Sequence, residues 1–146
     1  MIHRLFLVVV CALTLLSQKA FATGVGVSFG QPHEVALSLK SANSSKSYAF
    51  AASWKNNGLY LHGDYLLSTF VLSRNVPLYA GIGARANISD NNSNLGIRIP
   101  FGMAVFFSKL EIFFEIVPTL MLAPEMDFIT DPSQSYGIGA RYHFNF

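Results

Sequence analysis

Six charged side chains carry the chemistry this sequence offers: Asp64, Arg85, Arg98, Glu111, Glu115 and Arg141. Each lies inside an alternating apolar stretch rather than in a polar loop. Charges so placed need partners, because an unpaired charge away from water is costly. His62 and Asp64 stand two residues apart, on one face of any strand that carries them. With Ser68 or Tyr60, that pair would have the residue types of a hydrolase or acyl-transfer site acting on lipids. No serine is placed within reach by the pattern and no oxyanion donor is recognisable, so a hydrogen-bonded network is the better expectation. His33 falls in a turn and His143 on the inner face of the last strand, neither with a ligand partner. The pairs Gly24/Gly26, Gly81/Gly83 and Gly137/Gly139 have the G-x-G form, yet no helix pattern follows them. They fail the context that a dinucleotide site demands and instead leave packing space. The sequence therefore assigns no catalytic residue, no cofactor and no metal site.

The elements that must position these charges are strands. Residues 136–146, YGIGARYHFNF, put Tyr136, Ile138, Ala140, Tyr142, Phe144 and Phe146 on one face. Gly137, Gly139, Arg141, His143 and Asn145 fill the other, a period of two. The same alternation recurs over 24–31, 34–41, 47–54, 59–68, 77–88, 94–107 and 110–122. An Asn-Gly pair within 55–58 signals a hairpin, and Ser108-Lys109 reads as a two-residue turn. The stretch 69–76 reads as an irregular connector, and 123–134 as the longest loop. Pro100 and Pro118 each remove a ladder donor, so a bulge or bend is expected at both.

A leader precedes these strands. His3 and Arg4 open it, an apolar run from Leu5 to Leu16 follows, and Ala20-Phe21-Ala22 supplies a small-x-small cleavage pattern. Residues 1–22 are expected to be removed, leaving one domain over 23–146. Cys11 goes with the leader, so the remainder has no thiol. Removing Arg4 and Lys19 lowers Lys+Arg from 10 to 8, equal to the 8 Asp+Glu, so the net charge is zero. A neutral domain lacks the basic patch that nucleic acid requires.

Charged residues are 12% of the chain, about half the share of a soluble domain, while aromatics reach 14%. Nothing after the leader is long and apolar enough for a membrane helix, and a membrane protein without helices must be a closed barrel. A soluble, lipocalin-like barrel is the alternative, with its apolar face turned inward on a ligand and a Lys- and Glu-rich outside. Here the face opposite the large apolar residues is mostly Gly, Ala and Ser, which suits the narrow inside of eight strands. The expectation is an all-β fold: an eight-stranded antiparallel up-and-down transmembrane barrel with large apolar side chains facing lipid.

The stretches LYLHGDYLL (59–67), PLYAGIGAR (77–85), NLGIRIPFGMAVFF (94–107), LEIFFEIVPTL (110–120) and YGIGARYHF (136–144) resemble small eight-stranded outer-membrane barrels of the OmpX and OmpA-barrel kind. They are also similar to a group of short outer-membrane barrel proteins. The resemblance implies a Gram-negative cell outer membrane as the location and its lipids as partners. It implies barrel-insertion machinery as a further partner, through the C-terminal strand ending at Phe146. A monomer is expected, and, from the zero net charge, no nucleic acid partner. It says little of activity, since such barrels serve as scaffolds, adhesins, plugs and occasionally enzymes. A structural or envelope role, or binding through 123–134, is expected, with no enzymatic activity; a lipid-modifying enzyme using His62 and Asp64 is the alternative.

Expected pairings follow from counting along strands. Glu115 lies six residues beyond Lys109 and Arg141 five before Phe146, which predicts a Glu115–Arg141 pair. Arg85 and Arg98 flank the 89–93 loop at similar distances, so an acid must separate them, either Asp64 or one of Glu125, Asp127 and Asp131.

Overall fold

A computed structural model describes residues 24–41, 46–55, 57–131 and 133–144, with the side chain of Thr69 left aside. The leader 1–22 and Phe146 lie outside the described residues. Eleven strands run in chain order: β1 Gly24–Gln31, β2 Glu34–Lys40, β3 Lys46–Lys55, β4 Gly58–Ser73, β5 Val76–Ile88, β6 Asn94–Arg98, β7 Phe101–Phe107, β8 Leu110–Ile116, β9 Thr119–Ala123, β10 Asp127–Ile129 and β11 Tyr136–His143. Among the described residues there is no helix.

All the strands join one antiparallel sheet that closes on itself into an eight-stranded barrel. Neighbours in sequence pair from β1 to β5; β11 bridges β1 to β8, and β7 bridges β8 back to β5. The closing seam is the expected one: Gly24 faces His143 and Gln31 faces Tyr136. The sixth wall breaks at Ile99-Pro100 into β6 and β7, and the seventh at Val117-Pro118 into β8 and β9. Each break falls on a proline that has no N–H to give the ladder. Inward–outward parity survives both breaks, with Arg98 and Pro100, then Val117 and Thr119, all buried.

Two expectations need correction. The 69–76 connector is instead the end of a long β4–β5 hairpin, turning at Arg74-Asn75. Register shifts at Ser68/Phe70 and Val71/Ser73 mark two irregularities there, and they erase the two-residue period that would have revealed it. The hairpin expected at 55–58 forms: Lys55 pairs with Gly58, and Asn57, at φ 63°, takes the left-handed turn position. The long loop 123–134 contains β10, which folds back on β9.

The faces are segregated as the alternation implies. Val27, Phe29, Ile82, Phe101, Ile112, Phe114, Ile138 and Tyr142 are exposed on the outside, and Ile97 is half-buried. The inside holds Ser28, Ser38, Tyr60, Asp64, Tyr79, Arg85, Arg98, Glu111, Glu115, Arg141 and His143, all buried. The turns at 32–33, at 57 and at 89–93 and the segments 124–131 and 133–135 share one end of the barrel, called here the loop end. The start of β1, the end of β11 and the turns at 74–75 and 108–109 form the opposite, terminal end.

Candidate functional site

The barrel interior is the candidate site, built from two ion-pair clusters at different heights. Near the terminal end the ladder aligns Glu111 with Arg141, Arg141 with Gly26, and Gly26 with Ser38. Glu111 is fully buried, and three donors converge on it. Its Oε1 accepts from Lys40 Nζ at 2.7 Å and from Arg141 Nη1 at 3.2 Å. Its Oε2 lies 2.6 Å from His143 Nε2, which requires that nitrogen to carry the proton. Arg141 donates from Nε to Ser38 Oγ at 2.8 Å, and its guanidinium lies 3.7 Å from the centre of the Phe113 ring. Lys40 was legible as an inward residue, beside Ala36 and Ser38 on the small-residue face, but its place in this cluster was not foreseen.

Arg98 is the hub of the second cluster, at mid-height. It donates from Nε to Asp64 Oδ1 at 2.9 Å, from Nη2 to Glu115 Oε1 at 3.1 Å and from Nη1 to Tyr60 Oη at 3.1 Å. Tyr79 Oη donates to the other Glu115 oxygen at 3.1 Å. The ladder supplies the alignment: Gly83 faces both Asp64 and Arg98, and Gly102 faces both Tyr79 and Glu115. Glycine is required at both. A Cβ at Gly83 would lie 2.0 Å from Asp64 Oδ1, and one at Gly102 would lie 2.4 Å from a Tyr79 ring carbon. The inward glycines are thus space for these side chains, as the sequence suggested.

The predicted Glu115–Arg141 pair does not form. Tyr142 is level with Leu110 and His143 N donates to Lys109 O, so β11 ends level with the 108–109 turn and Arg141 stands directly opposite Glu111. Counting back from Phe146 therefore placed Arg141 too high. Asp64 and Glu115, and none of the acids of 123–134, hold Arg98. Asp131 instead accepts from Ser133 N and Oγ within its own turn, and these bonds hold its carboxyl below the usual range.

His62 lies beside Asp64, but at 3.9 Å from Nε2 to Oδ2. Its Nδ1 is 2.7 Å from Arg98 Nη1, and a guanidinium only donates, so the Nδ1 lone pair is already used. Tyr60 Oη is 3.4 Å from that same nitrogen and finds no free base there. Ser68 pairs with Tyr79, six residues along the strand from His62, which is roughly 20 Å at a strand's rise. Sequence reasoning overlooked a different contact, Ser28 Oγ to His33 Nε2 at 3.5 Å. The His33 ring stacks on Tyr60 with centroids 5.4 Å apart. Burial first, and then the Arg98 charge, lower the His33 pKa to about 4. No three His, Asp or Glu among the described residues are grouped to hold a metal.

Arg85 differs from the other charges. It is buried, with Nη2 3.0 Å from Met121 Sδ, and no carboxylate among the described residues pairs with it. The buried side-chain polar atoms without a partner are His33 Nδ1, Arg85 Nε and Asn94 Oδ1 among the described residues. All three belong to the loop-end half.

Comparison of the chain with family models, with curated proteins and with solved structures finds no match.

Proposed function

We propose that this chain is an integral outer-membrane barrel with a lumen closed by side chains, acting as a structural element of a Gram-negative envelope. The observation that carries this proposal is the inversion of its faces. Ile82 is 59% exposed, Phe29 49% and Phe114 46%, while Glu111 is 0% and Arg98 2%. A soluble ligand-binding barrel has the opposite arrangement, and an apolar band around a barrel is what lipid solvates. Likeness to OmpX-type barrels is part of the proposal at the level of architecture, as are a cleaved leader over 1–22 and insertion through the last strand. Such a lumen is a plug: Asp64, Tyr79, Arg98 and Glu115 tie four successive walls together across the interior at mid-height. The chain then works as a monomer without catalytic activity or cofactor.

Cell fractionation together with gel mobility of unboiled samples tests the location. The protein is expected in the outer-membrane fraction, migrating faster unboiled than boiled; a soluble periplasmic pool would refute the proposal. Purified protein in planar bilayers should show little steady conductance. Phe101→Lys should cost about 2–4 kcal/mol in a bilayer if that position lies near the midplane, and urea titration of the folded fraction reads it.

Binding through 123–134 has a specific observation in its favour. The tip of the β9–β10 hairpin presents Met126, 76% exposed, between Glu125 and Asp127, and the adjoining β10 presents Phe128, 54% exposed. Deleting 124–131 should leave the barrel folded and abolish any cell-surface contact that depends on the protein.

A further inference from the structure

The inward-facing charges do not balance. Lys40, Arg85, Arg98 and Arg141 are four cations, while Asp64, Glu111 and Glu115 are three carboxylates. Six of the seven are joined in ion pairs; among the described residues the cation left over is Arg85. It is only 6% exposed, so water does little to solvate it.

A cavity of about 250 Å³ lies at the loop end of the same lumen. Its walls include His33, Ser53, Lys55, Tyr60, Asn87 and Ser89, drawn from the β1–β2, β3–β4 and β5–β6 hairpins. Arg85 is two residues deeper than Asn87 on the same inward face of β5, and it interacts with the Tyr60 hydroxyl that lines the cavity. His33 is 5% exposed and keeps a ring nitrogen without a partner. Asn94 pairs with Asn87 across β5 and β6, and adds an unpartnered acceptor. A cavity lined by His33, Tyr60 and Asn87 thus lies beside a spare buried cation, two residues deeper than Asn87, and beside the unused acceptor of Asn87's ladder partner Asn94. The volume is far above the ~10–15 Å³ that one water needs, yet at the small end for a ligand site.

We infer that the loop end of the lumen binds a small organic anion, a phosphate or carboxylate group carried next to hydroxyls. The anionic group neutralises Arg85. The hydroxyls meet Asn94 Oδ1, the Asn87 amide and the His33 ring nitrogen. The site needs only the barrel geometry, so it stands or falls separately from the membrane location.

The test uses the full barrel refolded in zwitterionic detergent at constant ionic strength, with glycerol 3-phosphate as the probe and galactose and chloride as controls. The Arg85 Nε–H resonance reports on the site directly. Glycerol 3-phosphate should shift it saturably at millimolar concentration or below, while galactose and chloride should not. Arg85→Met should weaken binding at least tenfold, read from the Asn87 amide signal. If that variant does not fold, Asn94→Leu replaces it, with an expected loss of about fivefold. In phosphatidylglycerol nanodiscs, an Arg85 signal already shifted before the probe is added identifies a lipid headgroup as the source of the anion. An unshifted signal that then responds to the probe identifies a soluble one. No saturable shift with glycerol 3-phosphate in detergent, the same shift with chloride, or unchanged affinity in the variant overturns the inference.

Discussion

At the terminal end Glu111 receives Lys40, Arg141 and His143, and Arg141 is further tied to Ser38 and stacked on Phe113. At the loop end Arg85 has a thioether and a phenol for company, and His33 and Asn94 each keep an unused polar atom. The same strands supply both ends, with the same inward parity. What differs is completeness: one end is a closed set of bonds that favours a rigid barrel, the other holds donors and an acceptor in reserve. Buried polar groups are high-stakes in either state, rigidifying when satisfied and costly when not. The contrast separates a region built for stability from one with capacity to bind.

The largest expected effect falls at the satisfied end. Glu111→Ala removes one carboxylate and strands three donors, which should cost about 3–5 kcal/mol, the range for breaking a buried ion pair. Arg85→Met removes a charge that has no carboxylate to lose, so it should leave urea stability unchanged or higher. Equal losses in the two variants would erase the distinction between the ends.

Mid-height should give an intermediate result. Glu115→Ala deprives Arg98 of one acceptor and Tyr79 of its partner, yet Asp64 still holds the guanidinium. The loss should be about 1.5–3 kcal/mol, as for hydrogen bonds to charged groups. Lys55→Ala, which breaks the half-exposed pair with Glu34, should cost under about 1 kcal/mol. A Glu115 penalty no greater than that of Lys55 would mean that the mid-height cluster is not a plug at all.

Most of the fold was legible because a period of two is a local property. Glu111, Glu115, Arg141 and the rest were assigned to the inner face from alternation alone, and the structure buries every one of them. Which charges meet was not legible, because pairing depends on how far each strand slides past its neighbour. Arg141 meets Glu111 rather than Glu115 because β11 reaches down to the level of Lys109 already at His143, and no residue type marks that register. Asp127-Phe128-Ile129 is too short a strand to show a period. Phe70, Val71 and Leu72 form an unbroken apolar run because the register shifts there displace alternate side chains. The loop-end site had weak signals. His33 stands in a turn with no partner nearby in sequence, and the surplus cation appears only once Lys40 is counted among the inward charges.

A further small effect is a pH dependence at the loop end. His33 sits in the β1–β2 turn, outside the strands, against Ser28, the Tyr60 and His62 rings and the Arg98 charge. Burial, and then Arg98, hold its pKa at about 4 against 6.5 for a free side chain. Between those values the unfolded chain binds a proton that the folded barrel refuses. Stability therefore rises from pH 4 to 6.5 on this account and is flat above. Going from pH 7 to 5.5 should cost about 1 kcal/mol through this residue alone. Other groups titrate in the same span, so the measurement is a difference: urea midpoints of the wild type and of His33→Phe at both pH values. Phenylalanine keeps a ring to stack on Tyr60 and cannot take the proton, so its slope with pH should be shallower by that amount. Parallel slopes would mean that His33 is as well solvated as a surface histidine. The loop end would then be an ordinary wet mouth rather than a site with polar groups held in reserve.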